Sequence, residues 1–162
     1  MPTGSTTAGS SPTGSAQTTT SSGDSYTDTG LADGEQYHYT LRRVTNDTSS
    51  DSTQTSATTL LPETDTPTIQ SYTQDTITID VPSFNDDNAD GYRVMISTDG
   101  GSSFSQDGSD LQQGDFPYTT TTLTPGTKVI KIRAFTEHVT SDSNTVTQEF
   151  SGLPVEETKA PL

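Results

Sequence analysis

Cysteine and tryptophan are absent from this sequence, and basic residues are scarce. Without cysteine the chain can form neither disulfides nor thiolate metal sites. His38 and His138 are the only histidines, and neither lies in a pattern typical of a zinc site or a serine-type triad. Apolar residues make up only 25% of the 162 residues, well below the usual globular share. The sequence therefore predicts a small core and no enzymatic activity.

The charge of the chain is strongly one-sided. Seven Lys and Arg residues stand against 22 Asp and Glu residues, which gives a net charge of -15. Nucleic acids and anionic lipids bind proteins through Lys and Arg, so an acidic surface disfavours both partners. No apolar run is long enough to span a bilayer. We expect neither nucleic-acid binding nor membrane insertion.

High acidity with few apolar residues has two physical explanations. Such a chain is either disordered, because it cannot bury enough surface, or folded in concentrated salt that screens its self-repulsion. The regular apolar alternation described below favours the folded state. The composition resembles that of proteins from halophilic archaea and their viruses. It predicts a virion or extracellular location in a high-salt environment.

Residues 1–25 contain almost nothing apolar and are rich in Ser, Thr and Gly. This composition is typical of a flexible linker or stalk. The first 20 residues lack the basic start and the apolar run of a signal peptide. An exterior-type domain without an export signal fits a virion component, or a piece of a longer secreted protein.

An internal repeat organises the rest of the chain. Residues 26–62 and 118–154 align without gaps, share Tyr26/Tyr118 and Gly34/Gly126, and both end in Leu-Pro. The offset is 118 minus 26, or 92 residues, which suits tandem β-sandwich modules better than a short-period solenoid. We therefore predict the C-terminal part of a first module at 26–62, a complete module at 63–154, and a tail at 155–162.

Seven short strands are predicted within the complete module. The clearest is Thr76 to Val81, where apolar residues alternate on one face. A hairpin turn is expected at Asp99-Gly100-Gly101, and no window shows helical periodicity with caps. The predicted strands are 68–71, 76–81, 92–96, 103–106, 118–123, 128–137 and 145–150. The fold class predicted is all-β.

The stretch Leu31-Ala32-Asp33-Gly34-Glu35-Gln36-Tyr37-His38-Tyr39-Thr40-Leu41 resembles the segment that joins strands E and F in fibronectin type III domains. The resemblance implies an immunoglobulin-like sandwich in which residues 26–62 supply strands E to G of the first module. It also implies that Tyr37 forms a tyrosine corner. The second copy departs from the family pattern, because Val129 aligns with Tyr37 and Ile130 is expected to face inward instead.

The same offset leaves the first module without its first two strands and part of its third. Half a sandwich exposes unpaired edges and half a core, which is unstable alone. Three explanations follow from the sequence: truncation, strands supplied by a neighbouring chain, or irregular pairing by the N-terminal segment.

Two short motifs lie in loops of the complete module. Ser97 to Phe104 resembles the Asp-box, a hairpin in which an Asp side chain accepts turn N–H groups. Asp86, Asn88 and Asp90 match the first half of an EF-hand loop, although the twelfth position is Ser97 instead of Glu. The alternatives are a weak calcium or monovalent-cation site and an Asp-rich loop of an acidic protein. No other cofactor is predicted.

A glycosylation sequon begins at Asn46, in the predicted F–G loop of the first module. The alternative is a chance Asn-x-Thr in a Thr-rich chain. Tyrosines could form a binding face, but strand parity turns Tyr37, Tyr39 and Tyr92 toward the core.

The predicted function is a non-enzymatic structural or adhesive module of a haloarchaeal virus particle, in a tail, fibre, baseplate or capsid decoration. Its expected partners are other structural subunits in an oligomeric assembly, and a host surface glycan or protein. The alternative is a spacer or binding domain of a secreted haloarchaeal enzyme or a cell-surface adhesin.

Overall fold

The computed structural model describes residues 2–6, 17–18, 27–44, 47–85 and 88–150. For residues 2–6, 17–18 and 42–44 it describes the backbone alone. These residues form strands and one short 3₁₀ helix, Gln113–Asp115, and no α-helix occurs among them. The first five strands are β1 (Pro2–Thr6), β2 (Gln17–Thr18), β3 (Gln36–Val44), β4 (Ser49–Asp51) and β5 (Thr55–Thr58). The later strands are β6 (Thr68–Tyr72), β7 (Ile77–Asp80), β8 (Gly91–Ser97), β9 (Ser105–Leu111), β10 (Tyr118–Thr119), β11 (Gly126–Phe135), β12 (Thr140–Asp142) and β13 (Val146–Phe150).

The first module contains one sheet among the described residues. Strand β3 lies at its centre, with β1 and then β2 on one side and β4 followed by β5 on the other. All these pairings are antiparallel. The N-terminal residues 2–6 thus pair with β3 in a regular antiparallel register, whereas the third explanation from the sequence had been irregular pairing by this segment.

The second module is a two-layer sandwich. One sheet has the order β10-β7-β6, and the other places β8 and then β9 on one side of β11, with β12 and β13 on the other. The all-β prediction is confirmed. Alternation along β7 and β11 buries every second residue, and Ile77, Ile79, Ile130 and Ile132 are each 0% exposed. Because alternate residues face one side of a strand, two such faces enclose the core between the sheets.

The core of the second module is small and mostly aliphatic. Its buried members are Leu61, Ile77, Ile79, Val81, Tyr92, Val94, Ile96, Leu111, Ile130, Ile132, Ala134 and Phe150. Leu61 belongs to the predicted closing Leu-Pro of the first module, yet it packs into this cluster. Tyr92 faces inward as predicted, and Phe84 lies 4.6 Å from it between ring centroids.

A serine interrupts the last strand of both modules in the same way. Ser52 lies between β4 and β5, where its N–H donates to Leu41 O and its Oγ accepts the Leu41 N–H. Ser143 lies between β12 and β13 and makes the same pair of bonds with Ile132. The hydroxyl replaces a backbone carbonyl, so the ladder is bent without leaving an N–H unpaired. This shared feature makes Leu41 and Ile132 equivalent positions in the two modules. They are 91 residues apart (132 minus 41).

Several predicted strand bounds are wrong, each for a local reason. The return strand of the hairpin is β9, which begins at Ser105 and extends to Leu111. Strand β10 ends at Thr119, because the Thr120 hydroxyl accepts the Ile77 N–H and ends the regular ladder. Strand β12 lies where a loop was expected, because the Thr136–Val139 turn reverses the chain directly after β11.

The Asp-box-like turn has the structure that its sequence predicts. Asp99 accepts hydrogen bonds from the Ser97 hydroxyl at 2.6 Å, the Ser103 N–H at 2.9 Å and the Ser103 hydroxyl at 2.6 Å. These donors lower the pKa of the Asp99 carboxyl well below its usual range. Phe104 lies beneath Lys131, whose Nζ is 4.2 Å from the ring centroid. The motif closes a hairpin and stabilises the turn.

Asp107 joins the two sheets of the second module. Its buried carboxylate accepts the Tyr118 hydroxyl at 3.0 Å, the Thr121 N–H at 2.9 Å and the Thr121 hydroxyl. Gly108 next to it has a φ of 72°, and a Cβ there would lie 2.3 Å from the Tyr118 hydroxyl oxygen. Only glycine therefore allows this close approach.

Replacing Asp107 by alanine should destabilise the second module by about 2–4 kcal/mol, since it leaves buried donors without an acceptor. Urea unfolding in molar KCl measures the change. Asp107→Asn keeps one acceptor oxygen and should lose less. Equal losses in the two variants would show that the hydrogen bonds are not the cause.

The Tyr118 hydroxyl should lose its proton at a higher pH than an ordinary tyrosine does. Burial, the hydrogen bond to Asp107 and the charge of that carboxylate raise its pKa to about 12. Since the folded pKa exceeds the unfolded value of about 10, the associated stability is complete below pH ~10 and is lost as the pH rises through ~12. Absorbance titration at the tyrosinate band should show a transition at high pH that disappears in Tyr118→Phe. A late transition that persists in that variant would contradict the assignment.

Candidate interaction site: the open face of the first module

The first sheet presents a face that no described strand covers. We call it the open face: Tyr37, Tyr39 and Leu41 on β3, with Thr55 and Ala57 opposite them on β5. Directly opposed residues of an antiparallel pair share one side of the sheet, so these five side chains lie together. Leu41 is 58% exposed, and Ala57 is exposed as well.

The second module shows how the equivalent face is covered in a complete sandwich. Ile132, which is equivalent to Leu41 through the shared serine feature, is 0% exposed beneath the sheet that contains β7. The same strand position is thus fully covered in one module and open in the other. Fully burying a leucine side chain is favourable by roughly 1.5–3 kcal/mol relative to leaving it in water. Among the described residues, no second layer covers the Leu41 end of the open face.

Tyr37 confirms the tyrosine corner that the family resemblance implies. Its hydroxyl oxygen accepts the Ala32 N–H at 2.9 Å, and the residue is only 9% exposed. This bond fixes the turn that leads into β3 and holds one end of the open face rigid. In the second module Ile130 faces inward as predicted, but it does not take the place of Tyr37. The 91-residue spacing of the interrupting serines' partners, Leu41 and Ile132, puts the buried Lys128 at that position and Ile130 at the position of Tyr39.

The edge beside the open face carries no charge. Residues 52–61, which include β5, contain neither an acidic nor a basic side chain in a chain of net charge -15. The corresponding strand β13 contains Glu149. Edge strands are commonly protected by charges. The open face and this edge thus form a continuous region where acidic repulsion is weak.

The two modules meet at a packed junction. The Thr136 hydroxyl of the second module donates to Gly34 O of the first at 2.8 Å. Gly34 has a φ of 70°, and a Cβ there would lie 2.7 Å from Leu61 and 2.8 Å from Thr136. The close contact requires glycine and holds the first module against the F–G turn of the second.

The predicted cation loop is only partly within the described residues. Asp86 lies outside them, while Asn88 and Asp90 lie in the B–C loop near the junction. The Oδ2 atom of Asp90 accepts the Glu137 N–H at 2.9 Å, so this carboxylate helps to hold the F–G turn. Within the described ranges, no group of three or more His, Cys, Asp or Glu side chains is arranged for a metal. The cation interpretation of Asp86, Asn88 and Asp90 stays a prediction.

The glycosylation sequon at Asn46 also lies outside the described residues. Among the residues that the structure covers, no helix has the length and apolarity needed to cross a bilayer. The open face was not found by sequence reasoning as a site, although the repeat had indicated the missing strands. The signal was available in the apolar Leu41, which follows the parity of Tyr37 and Tyr39.

Comparisons with known proteins support the fold alone. No protein-family model matches the chain, and no curated protein matches its sequence. The chain is similar in structure to a two fibronectin type III domain segment of chicken tenascin, with a TM-score of 0.59, 16% identity, and coverage of 91% of this chain and 81% of that one. It is also similar to the FN1–FN3 domains of chicken CNTN1, with a TM-score of 0.50, 11% identity, and coverage of 93% and 56%. The protein has a fibronectin type III-like fold.

Proposed function

We propose that the chain is a non-enzymatic structural or adhesive module of a haloarchaeal virus particle, as part of a tail, fibre, baseplate or capsid decoration. The fibronectin type III-like fold is typical of structural and binding modules. Because this fold carries many unrelated functions, the proposal depends on the surface of this chain rather than on the fold.

The open face is the observation that carries the proposal. An apolar half-core at Leu41, beside an uncharged edge, suits a subunit that is completed by contacts within an assembly. A monomer free in solution gains nothing from such a face. Other structural subunits are therefore the proposed partners, and a host surface glycan or protein is the proposed target of the assembled particle.

The packed junction supports a role as a spacer. The hydrogen bond from Thr136 to Gly34 and the tight packing at Leu61 fix the first module against the second. A fixed junction sets the distance and direction between whatever binds at the two ends. In this proposal the protein acts by holding its partners at a fixed distance and direction, and it catalyses no reaction.

The described carboxylates fit this role. Asp107 joins the sheets, and Asp110 and Asp142 pair with Arg93 and Arg133 on the outer face of the second module. These side chains serve the fold, and exposed pairs of this kind contribute little stability each. The acidic remainder suits a virion or extracellular location in concentrated salt.

Immunogold electron microscopy tests the proposal. Antibodies raised against the chain should label one defined substructure on virus particles purified from a haloarchaeal culture that produces it. Antibody absorbed with the purified chain is the control. Label found on cell envelopes or in the secreted enzyme fraction, and not on particles, would contradict the proposal and favour the adhesin or secreted-enzyme alternative.

A further inference from the structure

The F–G turn of the second module, residues 136–139, is organised around the hydroxyl of Thr136. Its Oγ1 accepts the His138 N–H at 3.2 Å and the Val139 N–H at 3.3 Å. The same hydroxyl donates to Gly34 O of the first module at 2.8 Å. A hydroxyl has one proton and two lone pairs, so these three bonds use its whole capacity. The shape of the turn therefore fixes the direction in which Thr136 donates to the first module.

Asp90 holds this turn on both sides of Thr136. Its N–H donates to Phe135 O at 2.8 Å, and its Oδ2 accepts the Glu137 N–H at 2.9 Å. Its carbonyl oxygen accepts a hydrogen bond from Gln112 Nε2 at 3.0 Å, which ties the B–C loop to the chain that follows β9. The residues before and after Thr136 are thus bonded to one residue, and all three of these bonds lie within the second module.

The first module presents an acceptor that is held just as firmly. Gly34 is buried, and its N–H donates to Leu60 O at 3.3 Å. The Oγ1 atom of Thr59 donates to Ala32 O at 2.7 Å and accepts the Glu35 N–H at 3.0 Å. The chain on both sides of Gly34 is therefore bonded to the segment that leads into the second module.

The bond between Thr136 and Gly34 is a second attachment beside the point where the chain crosses between modules. The crossing lies at Leu61, which is 6% exposed in the core of the second module. Motion between two modules is expected unless an interface restrains it. A single crossing leaves the modules free to swivel about it, whereas two attachments define an orientation.

We propose that Thr136 is a latch that sets the angle between the two modules, and that Asp90 is the residue that positions it. The B–C loop thereby controls the direction of the first module without a hydrogen bond to it from Asp90. The inference deepens the spacer role and rests on the proposed function for the use of a fixed angle. The latch itself is a property of the chain.

This role of Asp90 differs from the cation ligand that the sequence predicts at the same position. The Glu137 N–H requires an acceptor oxygen, which an amide supplies as well as a carboxylate. A cation ligand in a loop of this kind requires the carboxylate charge. Asp90→Asn therefore separates the two roles, because it keeps an acceptor and removes the charge.

Distance measurements between spin labels test the latch on the full chain. The chain contains no cysteine, so Ser50→Cys in the first module and Ser109→Cys in the second, both at exposed positions, can be labelled without background. Pulsed electron double resonance in molar KCl reports the distribution of distances between the two labels. We expect one narrow distribution for the labelled parent chain.

Thr136→Val removes the donor and keeps the shape of the side chain, and Asp90→Ala removes the acceptor for the turn. Each should raise the ratio of open to latched molecules at least about fivefold and broaden the distribution, because a bonded group loses its partner. Thr136→Ser and Asp90→Asn retain the required oxygens and should restore the narrow distribution. Thr140→Val, at an exposed position on β12, is the matched control and should change nothing. Circular dichroism of every variant should match that of the parent.

Three results would overturn the inference. A broad distribution in the parent chain would show that the angle is not fixed. An unchanged distribution in Asp90→Ala would remove Asp90 from the latch. A distribution as broad in Asp90→Asn as in Asp90→Ala would assign the effect to the charge of the carboxylate instead of the hydrogen bond. A failure to label virus particles would refute the proposed function alone and leave a measured latch intact.

Discussion

Replacing Ile132 by alanine should destabilise the second module by about 2–5 kcal/mol, whereas Leu41→Ala should change stability by no more than about 0.5 kcal/mol. Both residues occupy the same place beside an interrupting serine. Ile132 is 0% exposed and Leu41 is 58% exposed. The first substitution removes apolar contacts and leaves a cavity, but the second removes a side chain that is mostly in water.

Urea unfolding in molar KCl, followed by circular dichroism, measures both changes. Urea is used because guanidinium chloride is a salt and would itself screen the repulsion between carboxylates. Val94→Ala is a further reference, since Val94 is also 0% exposed and packs in the same core. Similar losses for Leu41→Ala and Ile132→Ala would mean that the open face is covered and would contradict the account.

Lowering the salt should unfold the protein. The 22 acidic residues repel one another, and only seven basic residues offset them. The screening length is roughly 3 Å at 1 M salt and 30 Å at 0.01 M, so dilution lets distant carboxylates interact. The core that the described residues form is small, and a small core has little stability to oppose that repulsion.

We expect the melting temperature to fall by at least about 10 °C between ~2 M and ~0.05 M KCl, since each kcal/mol shifts a domain of this size by roughly 4–8 °C. A melting temperature that is unchanged between the two salt concentrations would refute the halophilic interpretation.

Much of the fold could be predicted from periodicity and repetition. Alternation at Ile77 and Ile79 identified a buried strand. The 92-residue offset predicted two related modules. The tyrosine corner at Tyr37 and the Asp99 turn followed from short motifs whose hydrogen bonds are local. Local patterns are readable because few distant residues influence them.

The remaining features depend on side chains that replace backbone groups. Ser52, Ser143 and Thr120 use hydroxyls to accept backbone N–H groups, and nothing in their neighbouring sequence marks them. Lys128 faces the core at 2% exposure, against any hydropathy pattern. The junction bond between Thr136 and Gly34 joins residues 102 positions apart. Only the tertiary structure brings such groups together.

The open face shows the same limit for the candidate site. Strand parity turned Tyr37 and Tyr39 toward the core, and Leu41 has the same parity although the sequence did not single it out. The exposure of Leu41 follows from the absence of a second layer over it among the described residues, whereas Tyr37 at the other end of the face is only 9% exposed. The sequence of β3 carries no sign of that absence, because a strand has the same pattern whether or not it is covered.

Hydroxyl-radical footprinting of the intact monomer tests the central claim most directly. Side chains are oxidised in proportion to their contact with water, and Leu41 and Ile132 are equivalent positions of similar intrinsic reactivity. We expect strong oxidation of Leu41 and almost none of Ile132 under conditions in which both modules are folded. Equal protection of the two residues in the monomer would show that the first module is already a closed sandwich, and would contradict the account.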